Sequence, residues 1–133
     1  MIILDTHIWH WWINQVPEKL PAATIAMIEE AEEVCVSTIS CFEMAWLVRH
    51  ARIDLGMSFE EWLADVEASE CVHFLPVTVK IAARAVALSE HHKDPQDRII
   101  IATALVHDAQ IISFDAAFPV YQELQGRLIG RNT

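Results

Sequence analysis

The sequence predicts an α/β domain, with a short parallel sheet of four or five strands and helices on both faces. Short apolar runs rich in β-branched or aromatic residues alternate with longer stretches of helical period, the pattern of buried parallel strands joined by crossover helices. Only 3 glycines and 5 prolines occur, with no linker-like stretch and no internal repeat, so residues 1–133 read as a single domain. Apolar residues make up 53% of the chain and mean hydropathy is +0.27, enough for a core on each side of a sheet.

Taken in order, Ile2-Ile3-Leu4 reads as the first strand, and a helix is expected from Pro21 to Glu33. Val34-Cys35-Val36 reads as the second strand and Ser40 to Arg52 as the helix after it. Phe59, Trp62, Leu63 and Val66 recur at helical spacing, with Glu60, Glu61, Asp65 and Glu67 on the opposite face. Val72-His73-Phe74-Leu75 is the third strand, followed by a helix over Val79 to Leu88. Pro95 to Asp108 is a helix apolar on nearly every side, hence one buried against the sheet, and Ile111-Ile112-Ser113-Phe114 is the fourth strand. Helix should clearly exceed strand.

Charge narrows the function. Lys and Arg number 9 against 19 Asp and Glu, a formal −10, which disfavours nucleic-acid binding through a broad basic face. The opening Met-Ile-Ile-Leu-Asp has no basic region and is not expected to act as a signal peptide. The longest apolar run, Ile99 to Val106, is far short of the roughly 20 residues that span a bilayer. Three cysteines, Cys35, Cys41 and Cys71, form no C-x-x-C pair, and free thiols in a reducing cytoplasm are expected.

The placement of the acids says more than their number. Asp5 is the only charged residue between Met1 and Pro17, Glu43 the only one between Val34 and Val48, and Asp115 the only one from Ala109 to Gln122. Asp97 opens the apolar run of the penultimate helix. Asp5 ends the first strand, Glu43 is expected in the first turn of the helix after the second, and Asp115 follows the fourth. Strand C-termini and the helix N-termini after them share one rim of a parallel sheet, where ligands bind. Lone carboxylates meeting there repel one another unless divalent cations lie between them, and oxygen-only ligands suit Mg²⁺ or Mn²⁺.

Each acid also has an ordinary local reading. Ser40-Cys41-Phe42-Glu43 matches a capping box, and Asp94-Pro95-Gln96-Asp97 offers an N-cap, a proline at N1 and an acid at N3. Asp5-Thr6 can begin a helix in the same way, and Asp115 can belong to a turn. Histidines are scattered without zinc-ligand spacing, and the five tryptophans read as core, with some of Trp9, Trp11 and Trp12 able to line an interface. His7 stands where a haloacid-dehalogenase-like phosphatase needs a second aspartate.

At four places the chain resembles the PIN-domain ribonucleases, and among them the VapC-like toxins of type II toxin–antitoxin systems. These are Leu4-Asp5-Thr6-His7 with Trp11-Trp12, Ser37 to Ala45 around Glu43, His92 to Ala104 with Asp94-Pro95-Gln96-Asp97-Arg98, and Ile111 to Phe118 around Asp115. Gln96 replaces the usual phenylalanine and Ser113 a common threonine, and Arg52 to Leu55 follows the usual lysine–glycine turn only loosely. The resemblance implies a PIN-like three-layer α/β/α sandwich and an acidic quartet of Asp5, Glu43, Asp97 and Asp115 as metal ligands and catalytic residues. It further implies an Mg²⁺- or Mn²⁺-dependent endoribonuclease, usually a homodimer, restrained by a cognate antitoxin. Asp5 would be the central ligand and Asp115 the most peripheral. Thr6, Ser37 and Ser113 can orient ligands, while Arg49, Arg52, Lys93 and Arg98 can touch phosphates of RNA. The alternatives are a PIN-like module that binds RNA or protein without cutting, and a housekeeping nuclease.

Overall fold

A computed structural model describes residues 1–91 and 94–131. The elements are β1 (Ile2–Leu4), α1 (Thr6–Ile13), α2 (Ala22–Glu30), β2 (Val34–Ser37), α3 (Thr38–Arg49), α4 (Phe59–Ser69), β3 (His73–Leu75), α5 (Val79–Val86), α6 (Pro95–Val106), β4 (Gln110–Ile112), a 3-10 turn (Gln122–Leu124) and β5 (Leu128–Ile129). All strand pairs are parallel, in the order β3-β2-β1-β4-β5.

β1 is central. Ile2, Ile3 and Leu4 pair with Val34, Cys35 and Val36 on one side and with Gln110, Ile111 and Ile112 on the other. A strand flanked and covered on both faces must be apolar throughout, and all three residues are buried. Their alternation divides the core in two. Ile2 and Leu4 pack with Ile8 and Trp9 of α1, Met44 of α3, and Trp62 and Val66 of α4. Ile3 packs with Cys35, Ile111, and Ile100, Ile101 and Ala104 of α6, closed by Phe118, Tyr121 and Leu124. The result is the expected α/β/α sandwich, with the sheet between two helical layers. Among the described residues no helix is long and apolar enough to cross a membrane. Cys35, Cys41 and Cys71 are free thiols.

The chain builds β1, β2 and β3 outward in one direction, then returns through α5 and α6 to lay β4 on the other side of β1. The strand order therefore reverses between β1 and β4. In open parallel sheets the crevice at the carboxyl ends of two such strands is where ligands bind.

All four expected strands form, and the extents of α1, the 3-10 turn and β5 were not read from sequence. The segment over α1, Thr-His-Ile-Trp-His-Trp-Trp-Ile, has weak helix formers and apolar residues on most sides, so neither propensity nor periodicity marks it. Its helix is held by the Asp5 cap and by burial of Trp9, which meets Trp62 with ring centroids 5.0 Å apart. β5 has two residues, Leu128 and Ile129, and exists because β4 offers them a parallel edge. α2 ends at Glu30 rather than Glu33, consistent with its run of acids at a helix end that favours cations. β4 stops at Ile112, freeing Ser113 and Phe114 from the strand.

Arg98, read from sequence as a candidate phosphate contact, is engaged elsewhere. Its guanidinium donates to the carbonyls of Ser89 at 2.9 Å, Leu88 at 3.0 Å and Val86 at 3.4 Å, closing the C-terminal end of α5. Glu123 holds the same connection from the other side, accepting from the Ser89 N–H at 2.9 Å and from its hydroxyl at 2.9 Å. Those hydrogen bonds hold the Glu123 carboxyl below its usual range. Lys93, with His92, lies outside the described residues, and Arg49 and Arg52 are exposed at the C-terminal end of α3, away from the rim.

Candidate active site

Asp5 sits where β1 passes into α1. As the N-cap of α1 it accepts the Ile8 N–H on Oδ1 at 2.9 Å, while Oδ2 accepts the Ser113 hydroxyl at 2.5 Å. Ser113 is the residue directly after β4, so one carboxylate ties together the ends of the two strands that flank the reversal. The Asp5 side chain is buried, with only 6% of the residue exposed. The capping reading of Asp5 is therefore realised, but it uses one oxygen, and each carboxylate oxygen keeps a further lone pair.

Glu43 approaches from α3. The helix is capped by Ser37, whose hydroxyl accepts the Ile39 N–H at 3.2 Å, and not by Ser40. Glu43 therefore lies in the second turn rather than the first, and the capping-box reading fails. Ser40 and Glu43, three positions apart, share a helix face. Both meet Thr6: its Oγ1 is 2.9 Å from Ser40 Oγ and donates to Glu43 Oε1 at 2.5 Å. Thr6 has a single hydroxyl proton, so when it serves Glu43 the Ser40 hydroxyl donates to Thr6. Ser40 and Thr6 are buried among apolar segments, leaving Glu43 as the natural terminus of the chain of hydroxyls.

The electrostatics are unfavourable for an anion. Burial, with a smaller push from the nearby Glu43 charge, raises the Asp5 carboxyl from 3.8 to about 6, against opposing help from Ser113, Ile8 and His7. Among the described residues no Lys or Arg acts on it. A native carboxyl that titrates near 6 binds more protons than its unfolded counterpart between pH 3.8 and about 6. The stability contributed by this group thus falls as pH rises through that window and its full penalty, roughly 3 kcal/mol for two pH units, stands above it. In EDTA, urea unfolding should show the Asp5→Asn protein gaining on the parent between about pH 4 and about pH 7. A constant gap would mean that Asp5 is not strained by its charge.

Asp115 and Asp97 are arranged differently. Asp115 is exposed, and its Oδ1 accepts the Ala117 N–H at 2.8 Å, which is the turn role. It joins the centre through its backbone, donating to Ser113 Oγ at 3.2 Å. Asp97 is in the first turn of α6, behind the Asp94 cap, on a helix that packs against α3. Among the described residues no three acidic, histidine or cysteine side chains stand close enough to hold an ion ready-made. The structure thus brings Asp5 and Glu43 together, and leaves Asp97 and Asp115 on neighbouring elements of the same rim.

Comparison with known proteins follows this geometry closely. The PIN domain family model matches residues 2–124, a span that contains all four acids. The chain belongs to the PIN-domain family. It is 39% identical to Ribonuclease VapC22 of Mycobacterium tuberculosis over 115 residues, 86% of either chain. In structure it is similar to VapBC2 from Rickettsia felis bound to a DNA fragment from their promoter, with TM-score 0.72, 17% identity and 98% of each chain covered. The DNA-bound VapBC from Salmonella typhimurium has TM-score 0.70 and 19% identity, covering 97% of this chain and 96% of that one. Those two likenesses show the shared PIN fold.

In this PIN domain the donors available to an ion are hard carboxylate oxygens, the type that Mg²⁺ and Mn²⁺ select. Two of them are adjacent, one is buried with a raised pKa, and neither has a described ion pair. The set fits a divalent cation. Ser40, weighed from sequence as a helix cap, is instead a hydrogen-bond partner of Thr6. Its real signal is its spacing of three from a lone acid, which places both on one helix face.

Proposed function

We propose that this PIN domain is a VapC-type endoribonuclease that depends on Mg²⁺ or Mn²⁺, and the toxin of a toxin–antitoxin pair. The observation that carries this reading is the buried Asp5 carboxylate beside Glu43, with no Lys or Arg among the described residues acting on it. Such a pair is destabilising in a purely structural protein and useful in one that binds a cation. The 39% identity to a protein named Ribonuclease VapC22 supports the choice of RNA as substrate.

Asp5 and Glu43 would hold the ion, with Asp97 and Asp115 completing the set from the neighbouring elements. When bound, a divalent ion supplies a water acidic enough to attack at neutral pH and charge neutralisation at the leaving oxygen. Ser113 and the Ile8 N–H fix the Asp5 carboxylate in one orientation, and Thr6, backed by Ser40, fixes that of Glu43. No side-chain nucleophile is required. Purified protein incubated with structured RNAs should cut them with Mg²⁺ or Mn²⁺ and stop in EDTA. Cutting that persists in EDTA contradicts the reading, and metal-saturated protein that binds RNA without cutting it would be a non-cleaving module.

Two partners follow from the surface. An apolar groove of about 380 Å³ between α1 and α2, lined by Trp11, Trp12, Val16, Leu20 and Ile25, suits an apolar segment of an antitoxin, and the acidic surface suits basic residues beside it. A second copy would cover Phe42 and Trp46 on α3 and Val79 and Val86 on α5, which are 55% to 89% exposed on helices that both pack against α6. Trp46→Glu should convert the dimer to monomer in sedimentation velocity. An unchanged sedimentation coefficient would remove α3 from the interface. The free thiols of Cys35, Cys41 and Cys71 suit a reducing cytoplasm.

A further inference from the structure

The segment between β4 and β5 is built as a strap across the α6 side of the core. Its backbone turns follow one another: the Asp115 carbonyl accepts the Phe118 N–H, the Phe118 carbonyl the Tyr121 N–H, and the Tyr121 carbonyl the Leu124 N–H, each at 3.1 Å. Phe118, Tyr121 and Leu124 are buried in the core shared with Ile100, Ile101 and Ala104 of α6. An apolar anchor at every third residue fixes the strap along its length.

From this strap Glu123 grips the connection that leaves α5. Its Oε2 accepts both the Ser89 N–H and the Ser89 hydroxyl at 2.9 Å, and its Oε1 lies 3.1 Å from the same hydroxyl. The Ser89 carbonyl in turn accepts from the Arg98 guanidinium at 2.9 Å. Arg98 directly follows Asp97 at the start of α6. A short relay therefore runs from the buried strap through Glu123, Ser89 and Arg98 to the turn that carries Asp97.

The relay does something that packing alone does not. α5 and α6 pack closely on each other, so the bonds from Arg98 to the carbonyls of Val86 and Leu88 hold that pair together without fixing where it stands on the sheet. Apolar contacts of α6 with the sheet are not directional. The Tyr121 hydroxyl, at 3.4 Å from Arg98, is a long contact. Glu123 supplies the directional tie, and it registers the start of α6 against the same strap that begins at Asp115.

We propose that Glu123 is a positioning residue: by holding Ser89 as a fixed acceptor for Arg98, it sets the first turn of α6 and with it the place of Asp97 in the cation site of Asp5 and Glu43. This rests on the ribonuclease reading, in which Asp97 completes the ligand set, and adds to it a residue that touches no ion. Groups that orient a metal ligand change affinity or activity about 10- to 100-fold when they are removed.

The test is isothermal titration calorimetry of Mn²⁺ into the RNA-free full chain, with thermal melts in EDTA on the same samples. Asp97→Asn and Glu123→Ala should each weaken Mn²⁺ binding about tenfold. Glu123→Gln, whose amide oxygen still accepts from Ser89, should stay within about threefold of the parent. On the Asp97→Asn background Glu123→Ala should add less than about a further twofold, because it acts through Asp97. A clasp that only closes a loop gives a lower melt in EDTA with Mn²⁺ affinity unchanged, or the same loss of affinity whether or not Asp97 is intact. Either result overturns the proposal, as does an Asp97→Asn protein that binds Mn²⁺ like the parent. Should Glu123→Ala fail to fold, Ser89→Ala removes the hydroxyl contacts, keeps the N–H, and is expected to weaken binding about threefold; unchanged affinity there overturns the proposal equally. A parent that binds Mn²⁺ with an insensitive Glu123 loses the positioning role alone, whereas a parent that binds no Mn²⁺ removes the cation site and the positioning role together.

Discussion

Asp5→Asn is expected to lower metal-dependent RNA cleavage by about a thousandfold or more, and at the same time to stabilise the metal-free protein at neutral pH by about 2 kcal/mol. The two effects have one origin. Asparagine has nearly the shape of aspartate and caps helices as well, so its oxygen can accept the Ile8 N–H while its amide donates to Ser113 Oγ, reversing the bond that Asp5 accepts. What it removes is a buried negative charge next to Glu43, which burial makes unfavourable and no described Lys or Arg offsets. The same charge is the strongest attraction the site has for a cation. A purely structural cap predicts the opposite pairing: stability unchanged or lower, cleavage unaffected. Urea unfolding in EDTA and initial cleavage rates in Mn²⁺ on one preparation distinguish the two.

Arg98→Ala is expected to destabilise the protein by about 3 kcal/mol, a fall in Tm of roughly 10 °C for a chain of this size. The guanidinium serves three carbonyls at the end of α5, and its loss leaves partly buried acceptors without donors. Arg98→Lys should recover less than half, because a single ammonium cannot reproduce the planar fork that reaches Ser89, Leu88 and Val86 together. Cleavage by Arg98→Ala should also fall, since Asp97 is in the same first turn of α6 and the α5–α6 connection sets where that turn begins. A thermal melt within about 2 °C of the parent would show that Glu123 and the helix packing suffice without Arg98.

The fold was legible where periodicity and burial agree. Residues 2–4, 34–36 and 111–112 of the three inner strands are buried and announce themselves as short apolar runs. α4 was equally plain, because its acids and its apolar residues divide cleanly between two faces. α1 was not, since its stability comes from the Asp5 cap and the burial of Trp9 rather than from its own residues. β5 depends wholly on an edge supplied by another strand, a contact that no local pattern encodes.

The candidate site was legible as a set of misplaced charges. Asp5 and Glu43 stood out because nothing near them in sequence was charged, and the fold brings these two together through Thr6. The hydroxyls were harder to assign. Ser37 and Ser40 are three residues apart, the first capping α3 and the second in its first turn, and either can be read from sequence as the cap. Arg98, beside an acid, reads in sequence as a phosphate contact, whereas the structure engages it with the carbonyls of Val86, Leu88 and Ser89 and with the Tyr121 hydroxyl.

The most direct measurement is the thermal unfolding of parent and Asp5→Asn protein at neutral pH, each in EDTA and in saturating Mn²⁺. A ligand at about 100 times its Kd stabilises the native state by about 2.7 kcal/mol, so the parent should melt roughly 10 °C higher with the ion than without it. The variant should begin above the parent in EDTA and gain almost nothing from Mn²⁺. Equal gains in both proteins, or no gain in the parent, would contradict a cation site built on Asp5.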